Sequence, residues 1–454
     1  MKFITLFTLL GFCSSSSFAA PTASTASASA NQIASSAPAP TNPLTLSDAL
    51  GSFEHSPRVE RAASVAEETS WKRVEALSGF LPRVTANASR LLDARLVFVD
   101  VSLAGGPPVS IPQIIPKTTF GLGADITLFD GFANVERYNS AKSLESAAKN
   151  DFEWAKFQGA RDVVLLFYRA LAAQTLRDVA QSNLKTIEDH LNDVRLFKQA
   201  GAGTKFDVLR VEVQTSESQS ELLNATDNVS ISLLRLGELL GQDVSSKALQ
   251  GQLPVLGPEL VKDIKFEESK RQDLAALSSR VEGAESNASA AKRFWVPKVT
   301  LAGTYQQYNN RTDDFIGDGY RSAYSAAVNL NWNIFDAGVS YARDRQAVEQ
   351  KVQAEKSLIL ARQKSVNDFE FYRRRYLYYA SVYQARVGDV GKSTESVRLA
   401  KEGRRVGSRT NTDLLDAEAE LFRARAGLVN AQIGAIEALI NLEVATGQTL
   451  YRFQ

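Results

Sequence analysis

Two segments of the chain alternate between apolar and polar residues, the period-two pattern typical of β-strands. In "FGLGADITL" (120–128) and "YSAAVNLNWNI" (324–334) every second residue is apolar, and most residues between them are polar or glycine. A second, less regular strand is expected ahead of each, near 83–103 and near 298–309. The alternation fits a strand half-buried against a core. It fits equally an outer-membrane strand with apolar side chains in lipid and polar ones in a wet lumen.

Long proline-free stretches predict long helices. No proline occurs between Pro116 and Pro254 or after Pro297, and both windows show helical patterning. The interior of a helix excludes proline, because proline lacks the N–H and its ring clashes with the preceding turn. A helix from about Asn134 to Lys198 would extend about 100 Å. That length is typical of coiled coils and tubes.

The last predicted helix carries a strict seven-residue repeat. Mostly leucines occupy one core position and alanines the position three residues later, which predicts a coiled-coil seam between closely spaced backbones. These residues are Leu414, Leu421, Leu428, Ala435 and Leu442, with Ala417, Ala424, Ala431, Ala438 and Ala445. An earlier helix repeats the seam at Val208, Thr215, Leu222, Val229 and Leu236, with Val211, Ser218, Ala225, Ser232 and Leu239. An ordinary two-helix hairpin would explain the heptads but not the membrane-like strands.

The chain contains an internal duplication. "LFDG" (128–131) returns as "IFDA" (334–337), and "GAGTKFDVLRVE" (201–212) returns as "GSRTNTDLLDAE" (407–418), both after 206 residues. An ungapped match of this length indicates two copies of one unit. Each copy is expected to contain a helix, two strands, a long helix and a second helix.

The domain organisation follows from this duplication and from the N-terminal sequence. We expect a signal peptide, a flexible Ala/Ser/Thr/Pro leader, repeat 1, an equatorial linker, repeat 2 and a short C-terminal tail at 1–19, 20–43, 44–241, 242–264, 265–447 and 448–454, respectively. A positive residue, an apolar run and a small-residue cleavage site are typical of a secretory signal. The single cysteine, Cys13, lies within it. A lipid anchor there is disfavoured, because Phe12 and not a small residue precedes the cysteine.

Composition narrows the possible chemistry. A net charge of +1 on an exported chain disfavours nucleic acid as a partner. No run of 18 consecutive apolar residues occurs, so we expect no transmembrane helix in the mature chain. The two histidines, His55 and His190, are far apart and have no cysteine or Glu-x-x-His context. We expect both to face solvent, and we expect neither a metal site nor a cofactor.

Two copies of two strands make four strands per chain, which are too few to close a barrel. An open strand edge in lipid would leave backbone groups without hydrogen bonds. If the strands cross a membrane, several chains must share one barrel, and three chains would give an even twelve strands. The alternative is a periplasmic coiled-coil adaptor or scaffold that never enters a bilayer.

The chain resembles the TolC family of outer-membrane efflux and secretion channels from residue 44 to residue 448. The resemblance rests on "LTLSDAL" (44–50), "RQDLAALSSRVEGAESNASAAKRFWVP" (271–297), the two strand-ending motifs and the turn "GSRTNTDLLD" (407–416). It implies an α+β membrane protein in which four transmembrane strands per chain contribute to a trimeric 12-stranded β-barrel. The long helices would continue that barrel as an α-helical barrel in the periplasm.

The same resemblance implies a function. Members of the family are passive exit ducts of tripartite efflux pumps or type I secretion systems, without enzymatic activity. Their partners are two further copies of the chain, a periplasmic adaptor protein, an inner-membrane RND, ABC or MFS transporter, and outer-membrane lipid.

The resemblance also implies functional positions at two helix–helix turns of the periplasmic tip. Asp413 and Asp416 match aspartates that form rings of negative charge at the narrowest point. Arg409 matches an arginine that tethers the closed state, with Asp207 as its partner. Adaptor contacts are implied for the turn residues Ala200, Gly201, Ala202, Val406, Gly407 and Ser408. Arg404 and Phe206 stand where the best-known member has a tyrosine and a threonine, so the closed-state bonds must differ.

Two other interpretations of the aspartates stay open at this point. Thr410 or Thr412 could cap a helix whose first turn contains Asp413, and its counterpart Asp207 could have the same role. Capping explains Asp416 less well, because the equivalent residue of the first copy is Arg210. A catalytic carboxylate pair is disfavoured, because no nucleophile, histidine or glycine-rich loop accompanies it in the sequence.

Overall fold

The structure is a computed structural model that describes residues 43–92, 98–102, 105–112, 116–201, 203–310 and 319–453. The predicted signal peptide with Cys13, and all of the predicted leader except Pro43, lie outside these residues.

Seven α-helices occur in the described part of the chain. They are α1 (Leu46–Glu54), α2 (Pro57–Ser78), α3 (Ala133–Gln199), α4 (Lys205–Leu240), α5 (Gln272–Ala291), α6 (Val339–Arg405) and α7 (Asn411–Thr446). The predicted long helix is confirmed as α3, whose 67 residues extend about 100 Å at 1.5 Å per residue. The bounds of α3 and α4 recur in α6 and α7 with a shift of 206 residues, the offset of the sequence motifs.

Six β-strands form two antiparallel sheets in the described residues. They are β1 (Arg83–Arg90), β2 (Phe98–Val101), β3 (Val109–Pro112), β4 (Pro116–Phe129), β5 (Lys298–Asn310) and β6 (Arg321–Asn331). The four predicted strands make one sheet in the order β1-β4-β5-β6, and β2 pairs with β3 in a separate ribbon.

Two predicted strand boundaries are wrong. The segment 83–103 is not one strand, because β1 ends at Arg90, close to the start of its partner β4 at Pro116. Proline has no N–H to continue the ladder. The alternation continues to Ile334, but β6 ends at Asn331, which pairs with the first residue of β5, Lys298. Among the described residues, no strand pairs with residues 332–334.

The four long helices lie side by side in the order α4–α3–α7–α6, since α3 packs on α4 and α7, and α7 packs on α6. The predicted heptad seams are confirmed, because every seam residue of α4 and α7 is buried or half-buried. One 18-residue window of α7, with a mean hydropathy of 1.3, is apolar enough to cross a membrane, but 61% of it is buried within the chain. Burial of that extent is typical of a core helix.

The largest apolar core lies where α1 and the segment after α4 meet the long helices. Val244, Leu256 and Val261 of that segment are buried in it together with residues of α3, α6 and α7. The fully buried carboxylate of Glu443 lies beside this core. It accepts the N–H groups of the C-terminal segment at residues 450 and 451, at 2.7 and 2.9 Å.

Candidate functional site: the sheet faces and the hairpin tips

The four-stranded sheet has one apolar face and one polar face. The register aligns the apolar residues of neighbouring strands. These residues are Val84, Ala86 and Ala88 of β1, Phe120, Leu122, Ala124 and Ile126 of β4, Val299, Leu301 and Tyr305 of β5, and Tyr324, Ala326, Val328 and Leu330 of β6. Most of these side chains are exposed, with an exposed fraction of 53% for Leu122 and 66% for Val328, while Ile126 and Val299 are half-buried.

The opposite face carries threonine, serine, asparagine and glycine. Arg83 and Asp125 form an ion pair of 3.5 Å across it, and the hydroxyls of Thr304 and Ser325 are 2.8 Å apart. A soluble protein buries the apolar face of a sheet and exposes the polar one. This sheet exposes its apolar face, as the strands of an outer-membrane barrel do. Of the two interpretations that the sequence left open, the structure therefore supports the membrane strand.

The two hairpin tips have the same backbone geometry. The α3–α4 turn follows Ala200 and has Gly201 at a φ of +77°, and the α6–α7 turn follows Val406 and has Gly407 at a φ of +75°. This left-handed conformation has little cost for glycine alone. Ser408 donates its N–H to the carbonyl of residue 403 at 2.8 Å. Ala202 lies outside the described residues.

Both tips begin their second helix with the same capping box. Thr204 accepts the N–H of Asp207 at 3.1 Å, and the Asp207 carboxylate accepts the N–H of Thr204 at 3.1 Å. The matching distances between Thr410 and Asp413 are 3.1 and 2.8 Å. Each pair satisfies two backbone donors that the start of a helix leaves open. Asp207 and Asp413 therefore have the capping role that the sequence left open.

The caps also set the ionisation of both aspartates. The N–H and hydroxyl of Thr410 donate to Asp413 and lower its pKa, and Arg409 lowers it further. The hydroxyl of Thr204 donates to Asp207 and lowers its pKa, and its N–H adds to the effect. Arg404 and Arg210 act on Asp207 in the same direction. Hydrogen bonds to a carboxylate favour its charged form.

Asp416 differs from its counterpart in the first copy. Its side chain is exposed, and no ion pair or hydrogen bond holds it within the described chain. The counterpart Arg210 donates a hydrogen bond of 2.9 Å to the hydroxyl of Thr412 and so links the two hairpins. Asp416 is thus a solvated negative charge one turn beyond the cap, while Arg210 has a structural contact.

Arg409 and Asp207 line one cavity of about 360 Å³ between the two tips. No ion pair joins them among the described residues, and the Arg409–Asp207 contact stays a prediction about the closed assembly. The guanidinium of Arg404 lies 5.2 Å from the ring centre of Phe197, within range of a cation–π contact. The Arg409 side chain lies over Gly403, where a Cβ atom would come within 2.6 Å of its Cγ.

The surroundings of one histidine differ from those expected from the sequence. His190 was expected to face solvent, but it is only 3% exposed. Its Nδ1 lies 3.0 Å from Oε2 of Glu418, and its Nε2 lies 2.6 Å from Oδ1 of Asn411. Helical spacing is the signal that could have revealed it, because His190 shares a buried stripe of α3 with Ile187, Leu191 and Val194. His55 is exposed as expected.

No group of three or more His, Cys, Asp or Glu side chains that could hold a metal ion occurs among the residues that the structure describes. Asp207 and Asp413 are engaged in helix caps with the hydroxyls of Thr204 and Thr410, and Asp416 is exposed to solvent.

Comparison with known proteins agrees with this geometry. The family model described as Outer membrane efflux protein matches residues 54–242 and 267–448. Outer membrane protein TolC of Vibrio cholerae serotype O1 is 22% identical over 415 residues, which cover 89% of this chain and 94% of that protein. Pyoverdine export outer membrane protein OpmQ of Pseudomonas aeruginosa is 21% identical over 361 residues, covering 77% and 73% of the two chains.

Solved structures show the same fold. The outer membrane protein VceC of Vibrio cholerae aligns with a TM-score of 0.75 and 17% identity, over 89% of this chain and 97% of that one. The open state of the Neisseria gonorrhoeae MtrE outer membrane channel aligns with a TM-score of 0.72 and 20% identity, over 89% of each chain. The chain therefore belongs to the outer membrane efflux protein family, and it is an outer-membrane channel protein with the TolC-like fold.

Proposed function

We propose that three copies of the chain form an exit duct, which passively conducts substances from an inner-membrane transporter across the periplasm and the outer membrane. A periplasmic adaptor would join the duct to an RND, ABC or MFS transporter. The observation that carries this proposal is the exposed apolar face of a sheet with two unpaired edges, β1 and β6.

Trimer formation would satisfy both edges of the sheet. In lipid each unpaired N–H and C=O costs several kcal/mol, so a strand layer must close on itself. Four strands per chain give twelve in a trimer, an even number within the range of outer-membrane barrels. The polar face would then line a wet lumen, with Arg83 and Asp125 opposite each other on neighbouring strands.

The helices support the same closure. The outer members of the helix layer, α4 and α6, both expose large apolar side chains. They include Leu209, Val213 and Leu223 of α4 and Leu360, Phe371 and Leu399 of α6, each at least 50% exposed. If α6 of one copy packs against α4 of the next, the contact is head-to-tail and the ring closes. The sheet and the helix layer would then close together in one assembly.

The tips supply a gate in this proposal. Asp416, exposed and unpaired among the described residues, would form a ring of three negative charges in the trimer, with the Asp413 ring one turn away. Such rings attract cations to the constriction. Arg409 and Asp207 would contribute to the closed state at the neighbouring hairpin.

The turns of the tips would meet the adaptor. Val406 is 76% exposed, Gly407 and Ser408 follow it and are exposed, and Gly201 is exposed at the other tip. A relative named for pyoverdine export favours small molecules as cargo.

Two measurements test the duct. A heat-modifiable trimer in the outer-membrane fraction, with discrete conductance in planar bilayers, is expected. A soluble monomer or dimer without conductance would contradict the proposal and favour the scaffold alternative.

The gate is tested by the double variant Asp413→Ala with Asp416→Ala, which should retain export and conductance but lose sensitivity to blocking cations. Thr410→Ala is the matched control, since it removes the capping hydroxyl at the same helix start and keeps both carboxylates. Unchanged cation block in the double variant would refute the gate assignment and leave the duct intact.

A further inference from the structure

His190 links the two halves of the tip. It lies on α3, in the first hairpin, and both of its partners lie near the start of α7, in the second. Nδ1 is 3.0 Å from the Glu418 carboxylate and Nε2 is 2.6 Å from the Asn411 carbonyl oxygen. Histidine and glutamate are both buried, at 3% and 6% exposure. The contact thus ties α7 to α3 two turns below the cap.

The charges around His190 come from all four long helices. Asp189 and Asp193 of α3 and Lys401, Arg404 and Arg405 of α6 line an open cavity of about 360 Å³ beside it. Arg210 of α4 bonds to the residue after Asn411. None of these cations lies within 4 Å of the Glu418 carboxylate in the described chain. Among the described residues, His190 is therefore the one basic side chain in direct contact with the Glu418 carboxylate.

The hydrogen-bond partners depend on the charge of the ring. Both ring nitrogens face acceptor oxygens, and only an imidazolium can donate from both. A neutral ring donates once. It keeps its second bond only if the Asn411 amide turns to present Nδ2, which is buried here without a partner. In either case the buried Glu418 carboxylate loses its cationic neighbour, and an unpaired buried charge is unfavourable.

We propose that His190 is a pH-dependent interlock that holds the first hairpin to the start of α7. In its charged form the ring donates to Glu418 and Asn411 and stabilises the arrangement of the tip that the structure shows. Loss of the proton weakens the link and releases the start of α7, which carries Asp413 and Asp416. The consequence for gating rests on the proposed duct, whereas the interlock itself is a property of the single chain.

Hydrogen exchange of the purified full-length protein in detergent tests the interlock without requiring a conducting channel. Histidine changes its charge between pH 5 and 8. After correction for the intrinsic pH dependence of exchange, residues 411–418 should be at least about fivefold more protected at pH 5.5 than at pH 8. Asp207 and Asp413, whose pKa values are lowered, stay ionised over this range and do not contribute to the pH dependence of protection.

Variants identify the group. His190→Gln should remove the difference in protection, and Glu418→Gln should reduce it. His55→Gln is the matched control, because His55 is the other histidine of the chain and is exposed. A pH step that survives in His190→Gln, or that is absent from the wild type, overturns the interlock.

Recordings in planar bilayers then test the link to gating. The wild-type channel should open less often at pH 5.5 than at pH 8, and His190→Gln should open equally often at both. If the protection of residues 411–418 depends on pH but the protein shows no conductance, the interlock is supported and the duct is contradicted. If the protein conducts but hydrogen exchange of residues 411–418 is the same in the wild type and in His190→Gln, the interlock is contradicted and the duct is not.

Discussion

The two longest helices, α3 and α6, are the same element of the two copies, yet they have different surroundings. Each has 67 residues and they start 206 residues apart. Eighteen residues of α3 are buried but only seven of α6. The reason is position: α3 contacts α1, α2, α4, α5 and α7, whereas α6 packs mainly on α7 and α5. The duplication therefore gave both helices the same length, whereas the elements packed against each helix determine which of its residues are buried.

Equivalent positions in the core region show the difference. Phe167 and Tyr168 of α3 are 0% and 1% exposed, and the residues 206 positions later are Arg373 and Arg374. Burial of large aromatic side chains stabilises the fold, and two arginines would have to be dehydrated in their place. The tips, in contrast, have the same turn and the same capping box in both copies.

The largest expected effect comes from this pair of helices. Phe167→Ala should lower the free energy of unfolding by about 3–5 kcal/mol, because it opens a cavity in the main core. Arg373→Ala, at the equivalent position of α6, should cost less than about 1 kcal/mol, since its polar contacts are long, 3.5 Å to the carbonyl of Val261 and 4.0 Å to Glu370. Thermal unfolding of the detergent-solubilised protein would check both. Equal losses would mean that α6 is as buried as α3 in the assembled protein.

The strands should respond alike in the two copies. Leu122 and Val328 are equivalent residues on the apolar face, and arginine at either position should destabilise the assembled barrel by about 2–4 kcal/mol near the middle of the bilayer. Asn329→Arg, on the polar face of the same strand, is the control and should be tolerated. The yield of heat-modifiable trimer measures all three variants. A larger loss for Asn329→Arg would mean that the faces are assigned the wrong way round.

The tips provide the smallest effect. Thr204→Ala and Thr410→Ala should each destabilise the start of their helix by about 1 kcal/mol, because each removes a capping box. Hydrogen exchange of the first turn of α4 or α7 would measure the local loss. A clearly greater loss of protection in one copy would show that its threonine has a further role besides capping the helix.

The pH dependence of the caps follows from the lowered pKa values of Asp207 and Asp413. Each carboxylate stabilises its helix start fully above its ordinary pKa of 3.8. That contribution is lost as the pH falls through the lowered value. Both caps should therefore be intact at neutral pH and should weaken together only in strong acid.

Much of this architecture could be predicted from local patterns. The absence of proline and the helical periodicity predicted α3 to within a residue or two at each end, and the heptads predicted which faces of α4 and α7 are buried. The ends of the strands could not be predicted from local patterns. β1 and β6 end where their partner strands end, and which strands pair depends on the fold of the whole sheet. The sequence analysis did not predict the ribbon of β2 and β3, which pair only with each other.

The sequence by itself determined the duplication, the long helices, the seams and the alternating strands, since each depends on the spacing of residues close in the chain. Only the tertiary structure decided that no core covers the apolar face of β1 and β6, since period two is the same for a buried and a lipid-facing strand. It also decided that Asp207 and Asp413 cap helices while Asp416 remains solvated. His190 shows the limit most clearly. Its two partners are more than 200 residues away, and only the packing of α7 against α3 brings them within hydrogen-bond distance.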